Sequence, residues 1–375
     1  MMSTEQPVYF APVLPWQQTA WDNLIARYER LPHGLLFAGM QGIGKRAFVW
    51  RFVAWLLCDN REQPSSQQGA CGQCQSCQWL ASGTHPDLQV LPISSLPSLE
   101  VEAATATKGG KSNTKKASEN GAAKASVKPS IKIDDIRELQ PFISQGSSGR
   151  RVCVIDYADK MTVAAANALL KTLEEPREGI HLLLISDMPT KLLPTIRSRV
   201  QQVAMDPMAY EQVFAYLENH VSQHTQNPAQ SDNAAPLSEQ VAQALKLSNG
   251  APLAALEMLS SAWYQQRGTW VKVWLALRAG KRSAIAASDY WQKQLSLDDF
   301  IKLSEFMLMD FSRQCLGMPT LQQDLALAQY QSITELQLES IQALMTVIED
   351  VKIACQQNVN DKMAYDQLLA ALALL

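Results

Sequence analysis

Four cysteines, Cys58, Cys71, Cys74 and Cys77, follow the spacing C-x12-C-x2-C-x2-C. Adjacent CxxC turns aim their thiolates at one centre about 2.3 Å from each sulfur, the donor set of a structural, tetrahedral zinc site. Four sulfurs leave no open coordination position, so this spacing predicts a zinc-holding knot rather than a catalytic metal. Shortly before them runs Gly39-Met40-Gln41-Gly42-Ile43-Gly44-Lys45, a phosphate-loop sequence. In such a loop, backbone N–H groups cradle phosphates, the lysine neutralises the β and γ groups, and a following Ser/Thr holds Mg²⁺. Gly39, Gly42, Gly44 and Lys45 supply the first two functions. Arg46 stands at the hydroxyl position and cannot ligate magnesium. The expectation is a degenerate ATP site in which metal-assisted hydrolysis is compromised.

Two further positions bear on that chemistry. Arg151-Val152-Cys153-Val154-Ile155-Asp156 reads as a buried strand ending in a carboxylate of the kind that organises Mg²⁺. The next residue, where an activating glutamate would stand, is Tyr157. A phenol with a pKa near 10 is a poor base at neutral pH. Asp156 capping the sheet edge is the alternative. Arg197-Ser198-Arg199 lies about a dozen residues beyond the last predicted strand. An arginine at an exposed loop end can reach a neighbouring subunit's γ-phosphate; a surface or ion-paired arginine is the plain alternative.

The elements that must position these residues follow from apolar spacing. A helix is expected over about 17–29, a strand over 34–38, and after the glycine loop a helix burying Phe48, Val49, Phe52, Val53, Leu56 and Leu57. Strand, glycine loop, then helix is the context that makes a phosphate loop credible. A strand near 88–91, a helix over 133–142, strands at 151–156 and 181–186 and a helix through 164–173 complete an alternating pattern. That pattern indicates a mostly parallel sheet covered by helices on both faces. No strand is expected after Arg199. From Pro207 the chain reads as helical, with a polar loop near 226–235 and a turn at Gly250-Ala251-Pro252. Beyond 260 nearly all of it reads as amphipathic helix anchored by Trp263, Trp270, Trp274 and Trp291.

Between about 94 and 130 the composition shifts to Ala, Ser, Lys and Gly. Such a stretch buries too little apolar surface to offset chain entropy and is expected to be a disordered insertion. The whole chain has 375 residues, 47% hydrophobic and 18% charged, with a formal charge of −3. That length suits two or three domains. The acidic balance argues against a dedicated nucleic-acid binder, whose domains typically have a pI above about 9. Nothing approaches the roughly 20 apolar residues of a membrane span. Seven cysteines with four in one cluster fit a reducing, cytoplasmic setting better than a disulfide framework.

Asn167-Ala168-Leu169-Leu170-Lys171-Thr172-Leu173-Glu174-Glu175-Pro176, followed by Ile196-Arg197-Ser198-Arg199, resembles the clamp-loader branch of the AAA+ ATPases. The cysteines after the loop helix, with Gly83-Thr84-His85-Pro86-Asp87 close behind, narrow the resemblance to the bacterial DNA polymerase III clamp loader. Gamma/tau members keep Lys-Thr and Asp-Glu pairs; Arg46 and Tyr157 depart from them, and the chain looks more like the delta prime branch. The resemblance implies three domains: an AAA+ core over 1–205, a small helical lid over 206–260 and a helical collar over 261–375. It further implies partnership with gamma/tau and delta subunits in a hetero-pentamer acting on a sliding clamp and primed DNA. In that setting Arg199 would be an arginine finger supplied in trans, and the subunit a stator. Val200 stands where the motif often carries cysteine, a change expected to be silent. The turn at Gly250-Ala251-Pro252-Leu253 lacks the nucleotide-sensing arginine of active relatives. Two other readings carry different tests: a self-sufficient ATPase using Lys45 and Asp156, and a DNA-binding adaptor using the zinc knot and the lysine-rich insertion.

Overall fold

The structure is a computed structural model that describes residues 8–61, 69–97, 130–144, 149–205, 208–224, 236–325, 327–330, 333, 336–355 and 360–375. Most of the insertion expected over 94–130 and the whole polar loop at 226–235 lie outside the described residues. Ile93–Ser95, at the start of the former, forms a 3-10 turn.

Compact packing divides the chain near residue 213 into two units. In the first, α1 (Gln18–Ala26) precedes β1 (Gly34–Ala38), and the phosphate loop leads into α2 (Lys45–Leu57). Then come α3 (Gln75–Ala81), β2 (Leu88–Leu91), α4 (Ile133–Ser144), β3 (Arg151–Ile155), α5 (Val163–Glu174) and β4 (Ile180–Ser186). A short α6 (Pro194–Arg197) ends at β5 (Gln201–Val203). Among the described residues the sheet has the order β2-β3-β4-β1-β5, with every pairing parallel.

The near-continuous apolar runs of the strands are what a sheet covered on both faces requires. Alternation sorts them. Leu35, Phe37, Val152, Val154, Leu183 and Ile185 pack on the α2 face with Trp21, Phe48 and Phe52. Leu36, Cys153, Ile155, Leu182 and Leu184 pack on the opposite face with Ile136, Leu139 and Leu169. Within α2 only Arg46 and Ala47 escape full burial. The helix is therefore packed on nearly every side, and it starts directly at the end of the phosphate loop.

The expected end of strand structure at Arg199 is corrected by β5, which pairs with β1 through Leu35, Leu36 and Phe37. Its three residues, Gln201, Gln202 and Val203, are too short and polar to show a period-two pattern. Their place is set by the neighbouring strand rather than by their own composition.

Among its described residues the second unit has helices and their connections and no strand. It continues α7 (Tyr210–His224), then α8 (Leu237–Leu247), α9 (Pro252–Ser260), α10 (Ala262–Gln265), α11 (Arg267–Arg278), α12 (Ala284–Gln294) and α13 (Leu297–Cys315). The last two are α14 (Leu338–Cys355) and α15 (Asp361–Leu374). Trp270, Trp274 and Trp291 are buried as expected, whereas Trp263 packs at the rim of the same core. Trp274 and Trp270 meet Phe311 at ring separations of 4.9 and 5.8 Å, and Trp291 meets Phe300 at 5.3 Å. No helix among the described residues is long and apolar enough to cross a membrane.

Candidate functional site

The phosphate loop sits at the carboxyl end of β1, the side of a parallel sheet where ligands bind. Gly42 and Gly44 adopt φ of 86° and 87°, which a side chain would resist. Gly39 is needed for space, because a Cβ there would lie 2.6 Å from Ile43 Cδ1. The loop is also braced from outside: Trp16 Nε1 and Gln17 Nε2 donate to the Ile43 carbonyl at 3.0 and 3.1 Å.

The loop's two cations are engaged by the protein's own acids. Lys45, only 2% exposed, donates to the Met40 carbonyl at 3.0 Å and forms an ion pair with Asp187. Burial pulls its pKa down, and Asp187 offsets part of that. Arg46 Nε donates to both Asp156 oxygens at 3.0 and 2.9 Å. Its Nη1 and Nη2 reach Asp187 at 3.2 and 2.8 Å. The guanidinium lies 4.4 Å from the centre of the Tyr157 ring, and Tyr157 itself is in the left-handed region at φ 53°. Burial alone would raise the Asp187 pKa, but hydrogen bonds from Arg46 and Lys45 prevail and hold it below the usual carboxylate range.

Sequence reading named Gly39, Gly42, Gly44, Lys45 and Asp156, and these residues do gather at one end of the sheet. It missed Asp187, which follows β4 and closes the cluster. Asp159 was missed too: its Oδ1 accepts from Ser186 Oγ and from the Asp187 backbone N–H, both at 3.0 Å, and so fixes the end of β4. The pair Ser186-Asp187 at the end of an apolar run was the available signal.

Arg199 lies just past α6, with its side chain 35% exposed. Its Nη2 pairs with Glu174 Oε1 at 2.6 Å, while Nη1 donates to the Thr195 carbonyl at 3.0 Å and to Ser198 Oγ at 3.3 Å. Glu174 is the last residue of α5, where the helix dipole disfavours an anion. A cation beside it relieves that cost. Val200, by contrast, is buried on the sheet and bears on no polar chemistry.

Cys58, Cys71, Cys74 and Cys77 converge as expected, with all four sulfurs within 4.8 Å of one another. The pairs Cys58–Cys74 and Cys71–Cys77 are each 3.9 Å apart. Sulfurs 2.3 Å from a tetrahedral centre are separated by about 3.8 Å, so the set fits a four-thiolate metal ion. Backbone N–H groups of Cys71, Cys74 and Cys77 each approach a neighbouring cysteine sulfur at 3.4 Å. Burial drives the Cys77 thiol well above its ordinary range. A bound cation would offset that cost and favour the thiolate. For Cys71, burial raises the pKa but donated hydrogen bonds outweigh it and bring the thiol to about 6.

His85 ties this cluster to the core. The Ser76 hydroxyl donates to the Leu57 carbonyl, so His85 Nε2 donates to Ser76 Oγ, at 2.7 Å. His85 Nδ1 then accepts from the Asp87 backbone N–H at 3.1 Å. One imidazole thereby joins the end of α2, the start of α3 and the entry to β2.

Comparison with known proteins agrees with this arrangement. The sequence model of the family described as DNA polymerase III, delta subunit matches residues 16–209. DNA polymerase III subunit delta' of Pseudomonas aeruginosa is 38% identical over 265 residues, covering 70% of this chain and 66% of that protein. The subunit of the same name from Escherichia coli is 30% identical, over 68% of this chain and 63% of its own length. The match thus spans about two thirds of these relatives. DNA polymerase III subunit gamma/tau of Mycobacterium tuberculosis is 31% identical, over 52% of this chain and 28% of that one. Set beside a phosphate loop on a parallel sheet and a four-cysteine cluster, these matches show that the chain belongs to the DNA polymerase III delta prime subunit family.

Proposed function

We propose that this chain is a non-hydrolysing, stator-like subunit of a DNA polymerase III clamp loader that supplies Arg199 in trans to a neighbouring ATPase. Arg199 carries the reading. It is an exposed guanidinium whose fork is held at one edge by Glu174, Thr195 and Ser198 and has donors left over for another acceptor. Its own phosphate loop, by contrast, has arginine for the magnesium-binding hydroxyl and tyrosine for the activating glutamate. On this reading residues 1–205 are the AAA+ core, 206–260 the lid and 261–375 the collar. Partners are gamma/tau-type and delta-type subunits, with the sliding clamp and primed DNA reached through the assembly in the cytoplasm. The cysteine cluster holds one structural zinc ion.

The test is a reconstituted loader carrying Arg199→Ala. Arginines supplied in trans are worth roughly 10³ to 10⁵ in rate in GTPases. The adjacent ATP site should lose about that much, and DNA-stimulated turnover of the whole should fall while assembly persists. Unchanged turnover would remove the finger role. Metal analysis should return about one zinc per chain for the four-thiolate set.

A further inference from the structure

A phosphate loop brings with it the expectation of a magnesium–nucleotide complex, and the residues here do not fit one. In that complex Mg²⁺ is held by the loop's Ser/Thr hydroxyl and by the strand-end aspartate, and it neutralises phosphate charge. In this chain the strand-end aspartate is Asp156, 2% exposed and already bonded through both carboxylate oxygens to Arg46 Nε. The second acid facing the cleft, Asp187, is shared between Arg46 and Lys45. Two cations and two carboxylates thus balance without any ligand.

We infer that Arg46 is a resident cation, standing in the cleft where a divalent metal would bind, so that the wild-type site takes no metal–nucleotide complex. The geometry supports the substitution. A planar fork with five donors can satisfy two carboxylates at once, as a metal does with two oxygen ligands. The Tyr157 ring stacked on the guanidinium fills space beside it and adds a cation–π contact. Lys45, which a phosphate would have to recruit, is buried and must first leave Asp187. The inference deepens the non-hydrolysing reading and rests on the same cleft. It adds that the defect is an occupied metal position, created chiefly by one residue, and not an empty or eroded pocket.

Two readouts test it on the full chain: ATP affinity in Mg²⁺ relative to EDTA, and the thermal midpoint with and without Mg²⁺. For the wild type, Mg²⁺ should leave the midpoint unchanged and should not tighten ATP binding. In Arg46→Thr, Asp156 loses its cation, Asp187 keeps only Lys45, and a hydroxyl is restored. The midpoint should fall in EDTA and recover by several degrees with Mg²⁺, and ATP affinity should become magnesium-dependent by about tenfold or more. Should that variant not fold, Arg46→Thr with Asp187→Asn removes the acid–acid repulsion, frees Lys45 and reports the same ratio. Tighter ATP binding by the wild type in Mg²⁺ than in EDTA would overturn the inference, as would folded variants indifferent to magnesium. Either result leaves the trans role of Arg199 standing. Only the loader carrying Arg199→Ala tests that role, so the two readings fail separately.

Discussion

At Arg199 one ion pair and two hydrogen bonds set how a guanidinium is presented. A long flexible side chain loses on the order of 2 kcal/mol of rotamer entropy when it is fixed. Glu174, at the unfavourable end of α5, spends that entropy in the resting chain by holding Nη2. An exposed pair of this kind contributes little to stability, about 0–1 kcal/mol. Its removal should therefore be visible in function rather than in folding. If Arg199 acts in trans as proposed, Glu174→Gln in a reconstituted loader should lower DNA-stimulated turnover several-fold, less than Arg199→Ala, with no change in the melting midpoint. Turnover equal to wild type would show that the acid does not position Arg199 for that proposed role. Glu174 and Arg199 were both named from the sequence, within two separate motifs. Their contact was not legible there, because 25 residues and a whole strand separate them.

At the scale of an element, β4 shows how burial writes itself into pH dependence. His181 enters β4 only 7% exposed, beside Arg150 Nη1 at 3.1 Å and the Pro32 carbonyl at 3.3 Å. Burial is the main cause that lowers its pKa, to about 4 from an ordinary 6.5, and Arg150 adds to the lowering. Between those values the unfolded chain binds a proton that the folded chain refuses. Stability is therefore whole above about pH 6.5 and is lost as the pH falls toward 4, by at most about 3 kcal/mol. Acid titration of the melting midpoint should show this slope in the wild type and a flatter one in His181→Phe. A variant that keeps the full slope would place the effect elsewhere. The strands themselves were readable from apolar runs, because both faces of a parallel sheet are covered. Strand β5 was not, since three largely polar residues take their conformation from β1.

For the whole molecule, two separate cores imply two separable stabilities. The cysteine cluster joins the end of α2 to α3 within the first unit, and His85 ties it to β2. The tryptophan-rich core lies wholly within the second unit. Calorimetry should resolve two transitions, and a zinc chelator or Cys74→Ser should lower only the one belonging to the sheet unit. A chelator that shifts both equally, or neither, would contradict a metal confined to the first core.

Residue types and spacing were enough to fix the four-thiolate set, the glycine loop, the alternating strands and helices and the tryptophan anchors. Each of these is written in contiguous or short-range patterns with its own periodicity. Tertiary structure alone decided what became of the phosphate loop. Arg46 meets Asp156 and Asp187 across 110 and 141 residues of chain, respectively. Whether that arginine would point into solvent or lie between two acids depends on where β3 and β4 end beside α2, and sheet packing sets that distance.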